Sequence, residues 1–329
     1  HMKPVHEPAG ELPLTHKDVR REVSVGIEKE INHLRGFSVS KRLVEIGLFA
    51  AMMIAGMALI LSGRSMLPET LGYAGWVMGT ILVALSINAF VLLMHEGMHN
   101  ILFRNREVNR WASFALGSFF LMSFSAYKVL HIRHHDHLGG PDDPDDYHNY
   151  SSSPVIVWLL HYTRLIVGSF LYIFLIPRLA IKYGNSVDRR HILQEYALLA
   201  ILYVLLWNIL PGDAILWAWF VPLVIVGYLV NIRGFTQHGI TDAHDPYLAS
   251  RSIYPNRIIS FFLLNENLHL EHHLFPEIPS YNLPALNRLI GPRLPRKVVG
   301  TSYLGFLLTF FKRTPKMDES IIGLKEKEL

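Results

Sequence analysis

Four stretches of this chain, at about 43–62, 73–94, 193–210 and 214–232, are apolar almost throughout. Each has close to the roughly 20 residues that a helix needs to cross the hydrocarbon core of a bilayer. Backbone groups in that core must be satisfied within the segment itself, so the runs read as transmembrane helices. The first two are joined by "SGRSMLPET" and the last two by the tight turn "PGD", which makes two helical hairpins. Half of the residues are hydrophobic, only 18% are charged and the mean hydropathy is +0.25, too apolar for an ordinary soluble domain.

Two further apolar runs are ambiguous. Residues 111–126 are short and contain serines, and residues 154–176 carry His161 and Arg164 near their middle. Basic residues orient the hairpins: Lys41 and Arg42 precede the first run, Arg104, Arg106 and Arg110 follow the second, Arg189 and Arg190 precede the third, and Arg233 follows the fourth. The positive-inside rule then puts both ends of each hairpin, and both chain termini, in the cytoplasm. The net charge of +4 is mild and its residues flank apolar runs, so it signals topology and not a nucleic-acid surface. Full crossings by 111–126 or 154–176 would split the histidine-rich stretches between the two sides, so both are expected to be interfacial or re-entrant. The expected fold is an all-α integral membrane protein with four transmembrane helices in two hairpins, interfacial or re-entrant helices, and a cytoplasmic histidine-rich cap. Residues 1–40 are expected as a polar cytoplasmic segment, 41–310 as the membrane domain and 311–329 as a charged cytoplasmic tail. His1-Met2 reads as a cloning remnant, and the polar start, lacking an apolar h-region, is expected to hold no cleaved signal.

The chain has no cysteine, which excludes disulfides, zinc–thiolate fingers, cysteine-ligated iron–sulfur clusters and a thiolate nucleophile. It has 18 histidines, and their spacing is informative. "HEGMH" places His95 and His99 at i and i+4 at the end of the second run. "HIRHHDH" gives His131, His134 and His135, with His137 just beyond. "NLHLEHHLFPEIP" gives His269, His272 and His273, again at i, i+3 and i+4, with Pro276 stopping the helix directly afterwards. Each set aims its imidazoles from one helical turn. One such pair arises easily by chance, and isolated histidines such as His16, His33, His148 and His191 read as solvated or interfacial, with His161 as a hydrogen-bonded core residue. Eight imidazoles crowded on one membrane face are different: unpaired they are costly, and a cation offsets that cost. They are too many for one tetrahedral or octahedral ion, so two ions are implied. Imidazole suits iron, copper, nickel and zinc alike.

The three motifs, HxxxH in "HEGMH" and HxxHH in both "HIRHH" and "HLEHH", in this order and between membrane hairpins, resemble the histidine boxes of the membrane fatty acid desaturase/hydroxylase superfamily. The resemblance spans roughly residues 40–290, and "EHHLFPEIPSYNLPAL" looks especially like the desaturase branch. It implies two iron ions in a non-haem centre, O2 as co-substrate, and removal of hydrogen from an unactivated C–H bond of a fatty acyl or lipid chain. It also implies a separate electron donor such as ferredoxin, rubredoxin or cytochrome b5 with its reductase, and a bacterial inner membrane in preference to the endoplasmic reticulum. Family members use one more histidine about thirty residues before the third box; "TQHGITDAH" supplies His238 there, with His244 as the weaker candidate. Carboxylates beside the rings should orient them and raise their basicity. Glu96, Asp136 and Glu271 lie inside the boxes, and Asp142, Asp143, Asp145 and Asp146 follow the second. Asn231 is a further candidate, for holding a metal-bound water.

The boxes do not choose among reactions. Hydroxylases, carotenoid ketolases and hydroxylases, and 1-alkene-forming decarboxylases share them. "HEGMH" also satisfies the HExxH pattern of zinc hydrolases, but that reading leaves the other two boxes without a role. A metal transporter would be expected to carry its ligands within the spans.

Overall fold

The computed structural model describes residues 14–63 and 68–313. The connection at 64–67 and the charged tail from 314 onward therefore lie outside the described residues, as does the start of the chain.

The first hairpin is helix α3, Val39–Gly63, against α4, Glu69–Met98. A short helix α1, His16–Ser24, and α2, Glu28–Leu34, precede it. The α3–α4 contact is made by small residues: a Cβ on Gly56 would stand 2.8 Å from the carbonyl oxygen of Gly79. Without a hydrophobic drive between helices in lipid, such close backbone approach supplies the packing. Helix α4 is the axis of the molecule. Its apolar window is 72% buried, against 17% for the most lipid-exposed span.

The run at 111–126 is broken. Helix α5, Arg106–Ser118, and α6, Phe124–His137, are 13 and 14 residues long, too short to cross. Between them Leu121 takes φ +58. The new helix starts on Ser123, whose hydroxyl caps Ala126 N. The buried carboxylate of Glu195 accepts from Ser123 Oγ, Ser125 N and Ser125 Oγ at 2.6–2.8 Å and from Arg110 Nη1 at 3.2 Å, fastening this bend to a later helix.

The run at 154–176 is one unbroken helix. Helix α7, Pro154–Tyr183, is continuous for 30 residues and qualifies by length and composition as a span, so five helices qualify where four were expected. His161 and Arg164 do not break it, because both face a polar cavity and not lipid. Both ends of α7 stay near α6 and the segment after it: His161 lies beside Tyr147, and Arg133 stacks over Tyr183 at 4.1 Å.

Helix α8, Ser186–Ile209, starts on an Asn185–Asp188 capping box. Helix α9, Gly212–Ile215, runs through a π turn at Leu216–Phe220 into α10, Val221–His238. Together they form the last apolar span, 212–238. Helix α7 lies antiparallel to α10, with Ser169 bonded to Gly227 O and Asn231, and Leu165 O accepting from Asn231.

The cap follows. Strand β1, Arg251–Ile253, pairs in parallel with β2, Val298–Gly300; helices α11, Arg257–Phe262, α12, His269–Leu274, and α13, Leu283–Ile290, lie between them, and α14, Tyr303–Arg313, ends the described chain. Its core includes Leu270, Leu274, Phe275, Ile278 and Leu286 together with Val19, Val23 and Ile31, so α1 and α2 pack onto the third box.

Besides Arg110, bonded to the buried Glu195, two more of the arginines taken as topology signals do other work. Arg42 is fully buried and pairs with Glu45 and Glu96, and Arg233 donates to Asn88 Oδ1 at 3.2 Å. Lys41, Arg104, Arg106, Arg189 and Arg190 remain exposed.

Candidate metal centre

The histidine boxes sit on helix ends that separate interactions hold in place. At "HEGMH", α4 stops as Asn100 turns to φ +58. Asn109 of α5 then donates to Gly97 O at 2.8 Å and accepts from Leu102 N and Phe103 N. Gly97 is required by this contact, since a Cβ there would stand 1.8 Å from Ser113 Oγ. His238 is the last residue of α10. The guanidinium of Arg251 closes that helix end by donating to the carbonyls of Thr236, Gly239 and Ile240, which also suits the helix dipole. The neighbouring β1 residue Ser252 donates to Glu271 Oε2 at 2.6 Å and accepts from Leu270 N, so one short strand fastens both His238 and the third box.

These supports bring the rings into two adjoining groups. His95, His99, His131, His135 and His272 each offer a nitrogen within 4.8 Å of the others. His134, His238 and His273 do the same. His269 joins the second group, its Nε2 lying 2.9 Å from His238 Nε2 and 3.1 Å from His273 Nε2. Metal–imidazole bonds of about 2.1 Å put opposite donors about 4.2 Å apart, so each group is of a size to surround one ion. The groups touch through His135 and His273, stacked at 4.2 Å.

The polar atoms of this cluster fit a cation. His134 Nε2, His135 Nε2, His269 Nδ1 and both nitrogens of His272 are buried with no hydrogen-bond partner. Such atoms carry a desolvation cost that coordination would offset. Burial, reinforced by neighbouring imidazoles, holds His99, His131, His135, His269 and His273 well below the usual histidine range. Burial takes His272 down to about 3. At neutral pH these rings are therefore uncharged, with lone pairs free for a metal. His134 goes the other way. Burial alone would lower it, but its Nδ1–H donates to Asp143 Oδ1 at 2.8 Å, and Asp143 with Asp145 raises it. That bond fixes the tautomer and leaves Nε2 facing the group.

The carboxylates expected beside the rings divide. Asp143 is buried and contacts His134, and Asp145 Oδ2 stands 3.8 Å from the same Nδ1. Asp142 pairs instead with Arg133 at 2.6 Å, and Asp136 is exposed on the outer side of α6. Glu96 accepts from Ser280 N and pairs with Arg42, tying α3 and the approach to α13 to the end of α4. Glu271 bonds Ser252 and Asn287. Neither glutamate is bonded to a ring. Asn231 accepts from Ser169 and donates to Leu165 O, so its amide is committed to the α7–α10 contact and is not aimed at the rings.

One carboxylate was missed from the sequence. Glu266 is buried with Oε1 3.5 Å from His95 Nδ1, and its own carbonyl accepts from Gln237 Nε2 of α10. Burial would raise it, but His95, His272 and Arg233 hold it below the usual range. The signal was an acidic residue three positions before His269. His16, read as solvated or interfacial, packs 6.2 Å from His273 with its Nε2 buried. His244, the weaker candidate, is exposed and outside both groups.

The fatty acid desaturase family matches residues 71–305, which is most of the chain. The chain belongs to that family. It is similar to a Delta(12) acyl-lipid conjugase (11E,13E-forming) of Impatiens balsamina, 25% identical over 268 residues covering 70% of this chain and 69% of that one. It is also similar to the sphingolipid delta(4)-desaturase/C4-monooxygenase DES2 of Homo sapiens, 25% identical with 61% of each chain covered. Fatty acid desaturase 3 of Bos taurus is 26% identical, with 63% of this chain and 54% of that one covered. The chain thus spans less than two thirds of the length of the human and bovine relatives. It is a membrane oxidoreductase of the desaturase type with a histidine-rich metal site.

Proposed function

We propose that the protein is an O2-dependent di-iron oxidoreductase that introduces a double bond into a fatty acyl or lipid chain. The observation that carries this reading is the gathering of all eight box histidines and His238 into two adjoining groups of ion-binding size. Five rings would hold one iron, and His134, His238, His269 and His273 the other. Bound iron would supply the activation of O2 and the abstraction of hydrogen from a methylene.

The rest falls to the chain itself. Asp143 holds His134 in one tautomer and Glu266 faces His95, so each group has one carboxylate to orient a ring and moderate the positive charge. Near-complete burial of His269, His272 and His273 keeps bulk water from the centre, which protects a reactive oxidant from side reactions. The broad apolar surface of the spans, including Ile54, Tyr73, Phe174 and Ile209, suits a substrate that arrives from the bilayer. We further propose that α7, both of whose ends stay near α6 and the segment after it, does not cross, so that the histidine face and both termini are cytoplasmic, in a bacterial inner membrane, where a separate donor such as ferredoxin, rubredoxin or cytochrome b5 with its reductase delivers electrons. The exposed basic residues Lys41, Arg104, Arg106, Arg189 and Arg190 support that orientation.

Hydroxylation is the second reading. It is favoured by the human relative, whose name joins a desaturase to a C4-monooxygenase. Expression in a host that lacks the activity, followed by mass spectrometry of the lipids, separates the two: loss of two hydrogens marks desaturation and gain of one oxygen marks hydroxylation. Metal quantification on the purified protein is expected to give about two iron ions per chain. A stoichiometric single zinc with O2-independent hydrolysis of a lipid ester would overturn the proposal.

A further inference from the structure

Beside the second histidine group, a cavity opens between the end of α6, the segment after it, α7 and the end of α10. Its lining passes from exposed to buried. His148 and His244 are exposed at its mouth, Asp145 and Asp146 are half-buried, and the buried His134 lines its inner end with His238. The far side of the same group is covered. His269 and His273 are each 5% exposed, and α1 packs over their helix through Val19 and Val23.

The chemistry of the wall is that of a cation path. Among the described residues, three aspartates and five histidines line it against one arginine, so the surplus charge is negative. Imidazole and carboxylate are ligands that divalent transition metals accept, and a cleft lined by one sign of charge concentrates the opposite ion. Asp146 Oδ1 accepts from His148 N and Nδ1 at 2.9 Å. Burial would raise the Asp146 carboxyl, but those bonds and the nearness of His148 and His244 hold it below the usual range, so it is charged at neutral pH. Deeper in, Asp145 Oδ2 stands 3.8 Å from His134 Nδ1. His161 spends its Nδ1–H on Val157 O, so Nε2 is the ring atom left for the cavity. At the inner end His134 Nε2 is buried with no hydrogen-bond partner.

Arg164 is the exception, and its place accounts for it. A Cβ on Gly234, one helical turn before His238, would stand 3.3 Å from Arg164 Nη2. The guanidinium therefore lies beyond the rings along α10, where it turns a cation back toward them and away from the α7–α10 contact. Asp146, His148 and His244 do not themselves close into a group of ion-holding size, as the rings do. They suit an ion in transit and not one retained.

We propose that this cavity is the route by which a hydrated divalent iron ion reaches the second group, passing from Asp146, His148 and His244 inward to Asp145 and His134. The inference rests on the di-iron reading and adds how one of the two ions is loaded. A residue that stabilises the passing ion and not the bound one changes entry and exit by the same factor. The mouth residues then set the rate of metal exchange and not the final iron content.

The test follows exchange on the full-length, iron-loaded protein in lipid nanodiscs. Isotopically labelled Fe2+ is added anaerobically, samples are stripped of loose metal with a chelator, and retained label is counted by mass spectrometry. The variants are the double change Asp146→Asn with His244→Ala at the mouth, and Ala243→Phe, which adds a ring to the lining. Asp142→Asn removes an equal charge from the same segment but outside the lining, and serves as the control. At low ionic strength, exchange of one of the two irons is expected to slow about tenfold or more in both variants. Total iron should stay at the wild-type value and the control should exchange as the wild type does. Added salt should slow the wild type toward the double variant, because it screens the mouth. Wild-type exchange in both variants would overturn the proposal, and if turnover alone slowed, the cavity would carry protons or water instead. Loss of total iron in the double variant would overturn it too, by making the mouth residues ligands. Failure of the di-iron reading looks different: the wild type retains zinc and no iron, and exchange of labelled Zn2+ in the same variants still decides the route.

Discussion

The two histidine groups use the same side chain in different surroundings. The five-ring group, His95, His99, His131, His135 and His272, is enclosed by α4, α6 and α12, and Glu266 is the one carboxylate that faces it among the described residues. The group of His134, His238 and His273 has Asp143 and Asp145 behind His134 and opens into the polar cavity. The difference teaches that ligand count and ligand setting are separate properties. His99, His131 and His135 of the first group are half-buried, and the second group is turned toward a space that a substrate could enter, so changes in the two should be told apart by what else they disturb.

The largest expected effect tests whether both groups are needed. Replacing His95, His131 or His272, or His134, His238 or His273, by Ala is expected to reduce turnover to background, with iron falling from about two toward one per chain. Membrane insertion should survive, because the apolar spans and not the rings carry the insertion energy. His238→Ala against His244→Ala is the sharpest pair. The first should lose iron and all activity, and the second should keep its iron and a measurable fraction of turnover. Iron content and turnover measured together decide the matter, and the reverse pattern would move the ligand from His238 to His244.

That pair also marks how far the sequence could be read. The boxes are local: i, i+3 and i+4 spacing makes each a one-turn cluster wherever the helix lies, and the long apolar runs declare themselves by length. His238 followed from the family resemblance, which implies one more ligand about thirty residues before the third box. The roles of the carboxylates did not follow, because they depend on which way a side chain leaves its helix. Asp143 meets His134 because Gly139 at φ +70 turns the chain back beneath α6, while Asp136, inside the box, faces outward. Glu96 and Glu271 lie within boxes yet serve Arg42, Ser280, Ser252 and Asn287, all distant in sequence. The sequence left α7 ambiguous because it carries His161 and Arg164 in an apolar run, and the cavity that takes them up is a tertiary feature.

The next effect concerns the carboxylates. Asp143→Asn removes the charge that holds His134, and loss of such an outer partner costs about 10–100-fold in metal affinity. The loss is expected in one of the two irons, measured by titration with a competing chelator. Glu266→Gln should act on the other iron and leave the first as it was. Loss of both irons together in either variant would mean the groups are not independent.

Acid should set His134 apart from the other rings by sign. Rings with lowered folded pKa values, His99, His131, His135 and His272 in the first group and His269 and His273 in the second, stay neutral when folded but take up protons when unfolded near pH 6.5. The unfolded state then binds more protons, so their contribution is present above pH 6.5 and is lost as the pH falls. The slope is about 1.4 kcal/mol per pH unit for each such ring. His134, raised by Asp143, has the opposite sign, and its contribution is lost as the pH rises through its folded value. Metal-free protein melted between pH 5 and 8 should lose stability toward acid. In Asp143→Asn that acid loss should steepen, because the opposing contribution of His134 is gone. An unchanged profile would show that His134 is not held by the carboxylate.

The smallest effect is expected at Asn231, which lies near the second group along α10 but belongs to neither. Its amide oxygen takes Ser169 N and Oγ, and its nitrogen reaches Leu165 O, so it joins α7 to α10 within the apolar layer. Polar contacts between membrane helices average about 0.6 kcal/mol, because partners are also found when the helices separate. Asn231→Ala should therefore lower the melting temperature slightly while leaving iron content, and the KM for substrate, near the wild-type values. Ser169→Ala should do the same, and the double variant should cost less than the sum of the two, since both remove one shared contact. Loss of iron in Asn231→Ala at an unchanged melting temperature would place the amide at the metal and would extend the open group one helical turn or two deeper into the membrane.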